Sequence, residues 1–540
     1  MEAETAVVVS PSRIASEAGV KILKRGGNAI DAAIATAFAL GVVAPGWSGL
    51  GGGGFIVAYM SNTQETVAID YRETAPAHVQ KYRLRPDGKV ENDANSIGYK
   101  AVAVPGTLAG LSLALNDCGT MSLKEILEPT VKYAKNGFRV TCFWHKCVKS
   151  NLSGALDKIS QFPETARTLT KNGHVYEFGK NMVLRDLGQT FRKIAEVGPH
   201  VFYGGEVAGI IATDMAENDG WITKEDLDKY RAAPRRPVVG AYRNYEIVSM
   251  PPPSSGASLI QILSILEDFD LKRLGHNSPE TIHLMAEAMK LALADRKKYV
   301  ADPKFVSIPT EKLTSKGYAE KLRREISHDK ATPSTHFDIL DEGHVGSTAH
   351  VSVIDGEGNM VSLTESLECF LGSGVTIPGT GLLMNDEMHD FDLDVRSPNC
   401  IKPDKRPLSN MAPTLIMKDG SPYMVLGSAG GQSIIPSIIQ VIVNIIDFNM
   451  MPQKAIESPR FSCQHGRVYV ETRIPENVRR ELGRMGHKII AGGMPVRALE
   501  WMSKGRNLYY GGVQVVLLDQ DKNKVYGGAD PRQDSGAVGY

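Results

Sequence analysis

Ser347, Thr348 and Ser366 carry hydroxyl groups that a single β-hairpin would bring together. Residues 349–353 alternate apolar and polar side chains as a half-buried strand does, and a turn-forming DGEGN sequence follows them. Thr348 lies nine residues before Glu357, the centre of that turn, and Ser366 lies nine residues after it. A regular antiparallel hairpin would therefore place Thr348 opposite Ser366, about 5 Å away. The pair could be a structural cross-strand hydrogen bond or the centre of a reaction.

A threonine hydroxyl becomes an effective nucleophile only when a base lies beside it. The local sequence offers no obvious histidine or lysine partner for a catalytic triad. Cleavage of the Ser347–Thr348 bond would supply a base, because the new α-amine has an ordinary pKa of about 7.7–8. The small residues Gly346 and Ser347 would let the hydroxyl reach the preceding carbonyl carbon. Self-cleavage by an N→O acyl shift and ester hydrolysis is therefore chemically open to this sequence.

The composition is that of an ordinary globular protein. The chain has 540 residues, 42% apolar and 23% charged, and a formal net charge of zero. Zero net charge gives no global field for nucleic acid or an anionic membrane. Six scattered cysteines do not form a disulfide framework, and the Cys142, His145 and Cys147 cluster has too few ligands for structural zinc. The start of the chain has no signal-peptide pattern and no segment is apolar enough to span a bilayer, so we expect a cytoplasmic protein.

The order of predicted elements indicates a layered fold. Residues 120–330 are mostly helical in pattern, with the clearest helix at 277–300, and strands lead from Thr348 onward. Hairpins are predicted at 414–428 and 512–529, with an apolar helix between them. A helix-rich first part and a strand-led second part together suggest an α/β sandwich.

Several motifs, in one order along nearly the whole chain, carry a family resemblance. They are GGNAIDAAIA (26–35), GLGGGGF (49–55), IDYRETAP (69–76), VPGTLAGL (104–111), STAHVSV (347–353), GLLMNDEMHDF (381–391), KRPLSNMAPT (405–414), GSAGGQ (427–432) and GGADPRQDSGAVGY (527–540). The chain resembles the γ-glutamyltranspeptidase (glutathione hydrolase) family of N-terminal-nucleophile hydrolases.

The resemblance implies an α+β fold, a four-layer αββα sandwich built from both chains of a self-cleaved precursor. The two chains would be residues 1–347 and 348–540, intertwined in one globular unit. We expect a heterodimer of these chains, which could pair further, with a small-molecule γ-glutamyl substrate. The resemblance implies no metal and no organic cofactor.

The reaction residues follow from the same resemblance. Thr348 matches the nucleophile, cleavage falls at Ser347–Thr348, and Ser366 matches a second hydroxyl that faces the nucleophile. Gly430 and Gly431 match the glycines whose N–H groups form the oxyanion hole. They lie between a predicted strand and a predicted helix, where backbone donors converge and glycine allows close approach. Without the resemblance, this glycine pair would read as an ordinary tight turn.

Arg72 matches the arginine that binds the α-carboxylate of the γ-glutamyl group, and Ser409 matches a hydroxyl donor to the same carboxylate. A planar guanidinium suits that role, although an ion pair with Glu73 or Asp70 is the alternative. Glu387 and Asp390 match the acidic pair that receives the α-ammonium. Two carboxylates three residues apart could otherwise form a solvated surface.

Three features depart from the well-known members of the family. Glu368 stands where many members have an asparagine near the α-ammonium, and a third carboxylate should raise at least one pKa. Asn410 replaces the second of two adjacent serines in many members. The segment between Asp390 and Ser409 is short, so we expect a lidless, open cleft that favours hydrolysis and admits bulkier acyl groups.

The sequence therefore predicts an enzyme that cleaves γ-glutamyl amides through a γ-glutamyl-Thr348 ester and transfers the acyl group to water, amino acids or peptides. Two alternatives remain open at this point. One is an acylase or amidohydrolase of the same family acting on a glutaryl-cephalosporin, poly-γ-glutamate or oxamate. The other is an unprocessed homologue without catalytic activity.

Overall fold

Two seven-stranded antiparallel sheets form the centre of the protein in a computed structural model that describes residues 1–333, 346–464, 466–492 and 506–540. The described strands, β1 to β23 in chain order, span Glu2–Ala3, Val7–Ser10, Gly53–Met60, Glu65–Asp70, Phe138–Arg139, Thr170–Lys171, His174–Val175, Asn181–Met182, Ala233–Arg235, Val238–Tyr242, Tyr245–Ser249, Gly346–Ile354, Met360–Cys369, Thr376–Ile377, Leu382–Leu383, Thr414–Lys418, Ser421–Ala429, Phe461–Gln464, Arg467–Val470, Lys488–Ala491, Gly512–Asp519, Lys524–Ala529 and Gly536–Gly539.

Helices cover both outer sides of the two sheets. The described helices, α1 to α19 in chain order, span Arg13–Lys24, Ala29–Val43, Thr107–Cys118, Leu123–Asn136, Cys142–Lys149, Ala155–Gln161, Pro163–Leu169, Arg185–Val197, His200–Tyr203, Glu206–Glu217, Lys224–Lys229, Gly256–Leu266, Leu271–Leu274, Pro279–Tyr299, Thr310–Thr314, Lys316–Arg323, Ile434–Ile446, Pro452–Glu457 and Glu476–Arg484.

Both predicted chains contribute strands to each sheet. One sheet has the strand order β23-β2-β12-β13-β3-β4-β9, and the other has the order β1-β22-β21-β17-β16-β11-β10. Strands β3 and β4, from the first part of the chain, extend the sheet beyond β13, and β10 and β11 do the same in the other sheet beyond β16. Strand β12 begins at Gly346, so the Ser347–Thr348 bond lies inside a central strand.

The sheets and helices form four layers. Ser362 Oγ donates to Leu426 O at 2.9 Å and Ser352 Oγ donates to Gln514 O at 3.1 Å, which joins the two sheets face to face. Helices α1 and α2 cover the outer side of the first sheet, and α12 and α17 cover the outer side of the second. This helix–sheet–sheet–helix arrangement confirms the predicted α+β sandwich.

Local sequence explains why two of the helices form where they do. Every residue of α2 is buried, because its many alanines let it pack closely against α1 and the first sheet. Asn28 and Asp31 cap its start reciprocally, each side chain accepting from the other's N–H. Helix α14 was predicted at 277–300 and spans Pro279–Tyr299, with the Ser278 side chain accepting from the N–H of Thr281.

Strand β4 is shorter than the sequence predicts, and the difference matters for the site. The alternating pattern predicts a strand over 65–73, but β4 ends at Asp70. The Arg72 N–H donates to Asp70 Oδ1 at 3.0 Å, which turns the backbone out of the sheet. This turn directs Arg72 away from the sheet and toward the backbone of Leu408.

Two composition-based expectations can be compared with the structure. No helix in the described ranges has the length and apolar character needed to cross a membrane. All six cysteines lie in those ranges, and each is a free thiol.

Candidate active site

The β12–β13 hairpin pairs Thr348 with Ser366, which confirms the pairing predicted from the turn. The register shifts between Ser347 and Thr348, because Ser347 lies opposite Glu368 and one extra residue is inserted in β13. A bulge of this kind bends a strand and redirects its side chains. The irregularity therefore falls on the bond that the sequence predicts to be cleaved.

Hydroxyl groups surround the Ser347–Thr348 bond. Ser366 Oγ donates a short hydrogen bond to the carbonyl oxygen of Ser347 and lies 3.4 Å from Thr348 Oγ1. The N–H of Glu368 donates to Ser366 Oγ at 2.8 Å. A donor on a carbonyl oxygen stabilises the negative charge that nucleophilic attack creates, so this contact suits the predicted attack by the Thr348 hydroxyl. Ser347, Thr348 and Ser366 are all buried.

His350 is two residues from Thr348, but its ring is bound elsewhere. Its Nδ1 lies 2.8 Å from Thr364 Oγ1, and its Nε2 lies 3.0 Å from Ser352 Oγ. Burial lowers the pKa of His350 to about 3, so the imidazole is neutral and fixed between two hydroxyls. This agrees with a site in which no histidine serves as the base for Thr348.

The glycine pair lies where β17 turns into α17. Gly430 and Gly431 have φ values of 123° and 54°, in the left-handed region that favours glycine. A Cβ atom added to Gly346 would lie 2.9 Å from the backbone nitrogen of Gly431. Gly346, the residue before Ser347, therefore packs against this turn. The structure therefore places Gly430 and Gly431, the predicted oxyanion-hole residues, next to β12, the strand that contains the Ser347–Thr348 bond.

Arg72 is fully buried. It contacts the acidic residues that the resemblance assigns to the α-ammonium of the substrate. Its Nη1 lies 2.5 Å from Glu387 Oε1, and its Nη2 donates a short hydrogen bond to Asp390. Glu73 Oε2 lies 3.6 Å from Nη1, whereas Asp70 pairs with two other arginines. The guanidinium and the carboxylates thus form one ion-paired group. The resemblance instead implies separate binding residues for the α-carboxylate and the α-ammonium of the substrate.

Four carboxyl groups share that single guanidinium. Carboxylate oxygens of Glu368, Glu387 and Asp390 all lie within 4.8 Å of one another. We call these three residues, with Arg72 and Glu73, the acidic cluster. Burial raises the pKa of Glu368 and of Glu387 well above the usual range, and Arg72 opposes the rise. Burial also raises the pKa of Glu73 to about 8, so the cluster holds protons that a bound cation would displace.

Glu368 connects the acidic cluster to the reaction hairpin, the name used below for β12 and β13. Its backbone has a φ of 75°, an uncommon value for glutamate, at the bulge where β13 approaches its end. Its N–H is bound to Ser366 while its carboxylate lies near Glu387 and Asp390. Glu368 therefore belongs to the reaction hairpin through its backbone and to the acidic cluster through its side chain.

Ser409 and Asn410 lie at the far end of the short segment that follows Asp390. Ser409 is buried, its N–H donates to Pro253 O at 2.9 Å, and its Oγ accepts from the N–H of Met411 at 3.2 Å. Asn410 is half-buried. Among the described residues no acceptor contacts the Ser409 hydroxyl, so its proton can donate, which suits the predicted contact with a carboxylate.

Asn399 holds the two ends of this short segment together. Its side-chain amide donates to Asp390 O at 2.7 Å, and its Oδ1 accepts from the N–H of Leu408 at 2.9 Å. The segment is therefore tied back on itself. The open cleft expected from its short length stays a prediction.

Ser255 and Arg296 lie beside Ser409 and were not predicted from the sequence. Arg296 Nε donates to Ser255 Oγ at 2.7 Å, and Ser255 Oγ donates to the carbonyl oxygen of Ser409 at 2.6 Å. Neither residue stands in a motif whose spacing indicates binding. Only the fold brings the end of α14 to the segment after Asp390.

Two groups in the described part of the chain have the spacing of metal ligands, and both already have protein partners. In the first group, formed by Glu368, Glu387 and Asp390, the last two contact Arg72. His283, Glu287 and His487 form the other group; Lys290 Nζ lies 2.5 Å from Glu287 Oε1, and His283 Nδ1 lies 2.7 Å from His487 Nε2. With cations and hydrogen bonds already supplied, neither arrangement favours a resident metal.

Comparisons with known proteins bear on the family and the fold of this chain. The family model described as gamma-glutamyltranspeptidase matches residues 15–540. The glutathione hydrolase proenzyme of Escherichia coli (strain K12) is 37% identical, over 100% of this chain and 93% of that protein. The acylase ACY 1 proenzyme of Pseudomonas sp. (strain SE83) is 39% identical, over 90% of this chain and 88% of that protein. The crystal structure of cephalosporin acylase from Bacillus halodurans has a TM-score of 0.88 and 29% identity, over 100% of this chain and 96% of that one. The chain belongs to the γ-glutamyltranspeptidase family of enzymes.

Proposed function

We propose that this protein is a self-processing γ-glutamyl hydrolase and transferase that acts on glutathione and related γ-glutamyl compounds. The observation that carries the proposal is the set of contacts at one bond. The Ser347 carbonyl accepts from Ser366, the Thr348 hydroxyl adjoins it, and Gly431 lies against the preceding residue. Family membership and the similarity to glutathione hydrolase proenzymes support the same reading.

Self-processing would begin with attack of Thr348 Oγ1 on the Ser347 carbonyl carbon. The C–N bond breaks, the nitrogen gains a proton, and an ester joins the Ser347 carbonyl to the Thr348 oxygen. Water then hydrolyses this ester, giving residues 1–347 and 348–540 with a free α-amine on Thr348. Ser366 stabilises the oxyanion in the first step because it already donates to the Ser347 carbonyl.

The processed Thr348 would then catalyse γ-glutamyl transfer. Its α-amine takes the hydroxyl proton as Oγ1 attacks the γ-amide carbonyl, and gives it to the leaving amine. The N–H groups of Gly430 and Gly431 receive the oxyanion, a role in which one donor is typically worth about 10²–10³ in rate. Water, an amino acid or a peptide then resolves the γ-glutamyl ester.

The acidic cluster would recognise the amino-acid head group by exchange of partners. The α-carboxylate would take the place of Glu387 or Asp390 beside Arg72, with Ser409 as a second donor. The α-ammonium would lie among the carboxylates thus released and Glu368, with Asn410 at the edge. Each internal ion pair is then replaced by an ion pair with the substrate, so little charge is left unpaired.

A second candidate function is a family acylase that removes a different acyl group. The similarity to acylase ACY 1 and the full-length match to a cephalosporin acylase favour it. The extra carboxylate of Glu368 speaks against a glutaryl group, which has a carboxylate but no ammonium to offset the negative charge. The cytoplasmic location and a further pairing of the processed heterodimer stay predictions.

Two chromogenic amides separate these candidates. γ-Glutamyl-p-nitroanilide carries both head-group charges, and glutaryl-p-nitroanilide lacks only the ammonium. We expect purified wild-type protein to hydrolyse the first with a kcat/KM at least about tenfold higher, the value of one charge-assisted hydrogen bond. Preferential cleavage of the glutaryl compound would establish the acylase instead. A lack of activity on both, in a protein that stays one chain, would indicate a non-catalytic homologue.

A further inference from the structure

Arg296 is a second arginine near the acidic cluster, and it differs from Arg72 in the way its donors are used. It lies in the last turn of α14, 224 positions along the chain from Arg72. Its Nε donates to Ser255 Oγ, and Ser255 Oγ donates to the carbonyl of Ser409. A relay of two hydrogen bonds thus links Arg296 to the predicted carboxylate-binding serine.

Arg72 has little capacity left for a ligand. Its Nε lies 3.4 Å from Pro407 O, its Nη1 pairs with Glu387, and its Nη2 serves both Asp390 and Leu408 O. The side chain is fully buried and positioned like a structural ion-pair centre. A carboxylate can therefore reach Arg72 only after an internal partner moves away.

Arg296 has the opposite character. It is half-buried, and its Nη1 and Nη2 make no hydrogen bond within the described residues. Burial lowers the pKa of Arg296 to about 10, whereas Asp390 and Asp392 raise it and Arg72 lowers it further. The guanidinium thus remains charged at neutral pH and lies within electrostatic reach of the acidic cluster.

We propose that Arg296 is a specificity-determining residue that shares the α-carboxylate of the acyl donor with Arg72 and Ser409. Its free Nη groups supply a charged donor that does not need to break an internal ion pair. Ser255 orients it, because a hydrogen bond on Nε fixes the plane of the guanidinium. The assignment rests on the proposed γ-glutamyl specificity and adds a residue to it.

The test removes one charge from the enzyme and one from the substrate. 4-Aminobutyryl-p-nitroanilide keeps the ammonium of the γ-glutamyl compound and lacks its α-carboxylate. We expect Arg296→Ala to lower kcat/KM for γ-glutamyl-p-nitroanilide about 10- to 100-fold, mostly through KM, and to change the 4-aminobutyryl reaction less than about threefold. Arg296→Lys should restore part of the loss, because it retains the charge without the planar fork.

Two further variants separate recognition from structure. Lys298→Ala removes an exposed charge from the same helix and should leave both reactions unchanged. Ser255→Ala removes the relay and keeps the guanidinium, so it should lower γ-glutamyl turnover less than Arg296→Ala does. Equal losses on both substrates in Arg296→Ala, or no loss on either, would overturn the proposal. Failure of wild-type protein to cleave γ-glutamyl-p-nitroanilide would instead refute the proposed function on which it rests.

Discussion

The reaction hairpin contains neutral hydroxyl and amide groups around its reactive bond, whereas the acidic cluster beside it holds four carboxyl groups around one arginine. A free α-amine has an ordinary pKa of about 7.7–8, which suits a base at neutral pH. In the acidic cluster, Arg72 compensates the buried negative charges only in part. Binding or loss of an ion there therefore changes the electrostatic energy strongly. The regions proposed for bond cleavage and for substrate recognition therefore differ in chemistry although they adjoin each other.

This difference predicts two kinds of mutational effect. Changes in the reaction hairpin should impair self-cleavage and turnover together, because both use the same oxygen and the same neighbouring donors. Changes in the acidic cluster should alter the choice of substrate and leave self-cleavage intact. Glu368 is the most stringent test of this rule, since its backbone belongs to one region and its carboxylate to the other.

The largest effect is expected from Thr348→Ala. Without the hydroxyl, neither the acyl shift nor the γ-glutamyl ester can form, so the chain should stay intact and activity should fall at least about 10³-fold. A denaturing gel and a p-nitroanilide assay measure the two losses. Thr348→Ser is the matched control, because it keeps a hydroxyl and an α-amine and should retain both functions at reduced rates. Normal cleavage in Thr348→Ala would break the link between the two functions.

A smaller effect is expected from Gly431→Ala. A side chain at the left-handed φ of 54° is strained, so the oxyanion donors should move and kcat should fall about 10²–10³-fold. Gly420→Ala is the control, because Gly420 has a φ of 75° in a turn where an added Cβ meets nothing within 4 Å. It carries similar backbone strain far from the site. Equal loss of kcat in both variants would assign the effect to strain.

Glu368→Gln tests the residue that the reaction hairpin and the acidic cluster share. The variant keeps the backbone N–H on Ser366 and removes only the third carboxylate, so self-cleavage should proceed as in wild type. The preference for γ-glutamyl- over glutaryl-p-nitroanilide should fall about tenfold, because the ammonium loses one charge-assisted partner. The ratio of the two kcat/KM values reports this change. An unchanged ratio would remove Glu368 from head-group recognition.

The smallest effect concerns a buried carboxyl in β13 outside the acidic cluster. Burial raises the pKa of Glu365 to about 8, partly offset by Ser48, so the folded protein keeps it protonated at neutral pH. The unfolded chain releases that proton above its ordinary pKa of about 4.3, and stability should therefore fall as pH rises from there to about 8. In the uncleaved Thr348→Ala background, Glu365→Gln should flatten the decline of Tm between pH 5.5 and 8.5. Exposed Glu311→Gln should not, and parallel curves for all variants would contradict the assignment.

Sequence predicted the reaction hairpin more fully than the acidic cluster for a physical reason. Thr348 and Ser366 are joined by one turn, so counting residues from Glu357 was sufficient to pair them. The count did not predict the bulge at Ser347, because a hairpin can insert a residue without any change in its alternating pattern. Strand boundaries near the site were less predictable, as the early end of β4 shows.

Residues of the acidic cluster come from distant segments, and the resemblance identified Arg72, Glu368, Glu387 and Asp390 without their contacts. It did not predict that Arg72 pairs internally with Glu387 and Asp390, since that depends on how β4 ends and how 387–390 folds. The strands β9, β10 and β11 (Ala233–Arg235, Val238–Tyr242 and Tyr245–Ser249) were also missed inside a region that is otherwise mostly helical. Their short apolar alternation is weak beside the strong helical periodicity around it.

N-terminal sequencing of the purified protein, combined with intact mass measurement, tests the central claim most directly. Self-cleavage at the polarised Ser347 carbonyl predicts two polypeptides, one of which begins Thr348-Ala349-His350, and a single intact chain in the Thr348→Ala variant. A wild-type protein that remains one polypeptide, or that is cut at another bond, would contradict the account.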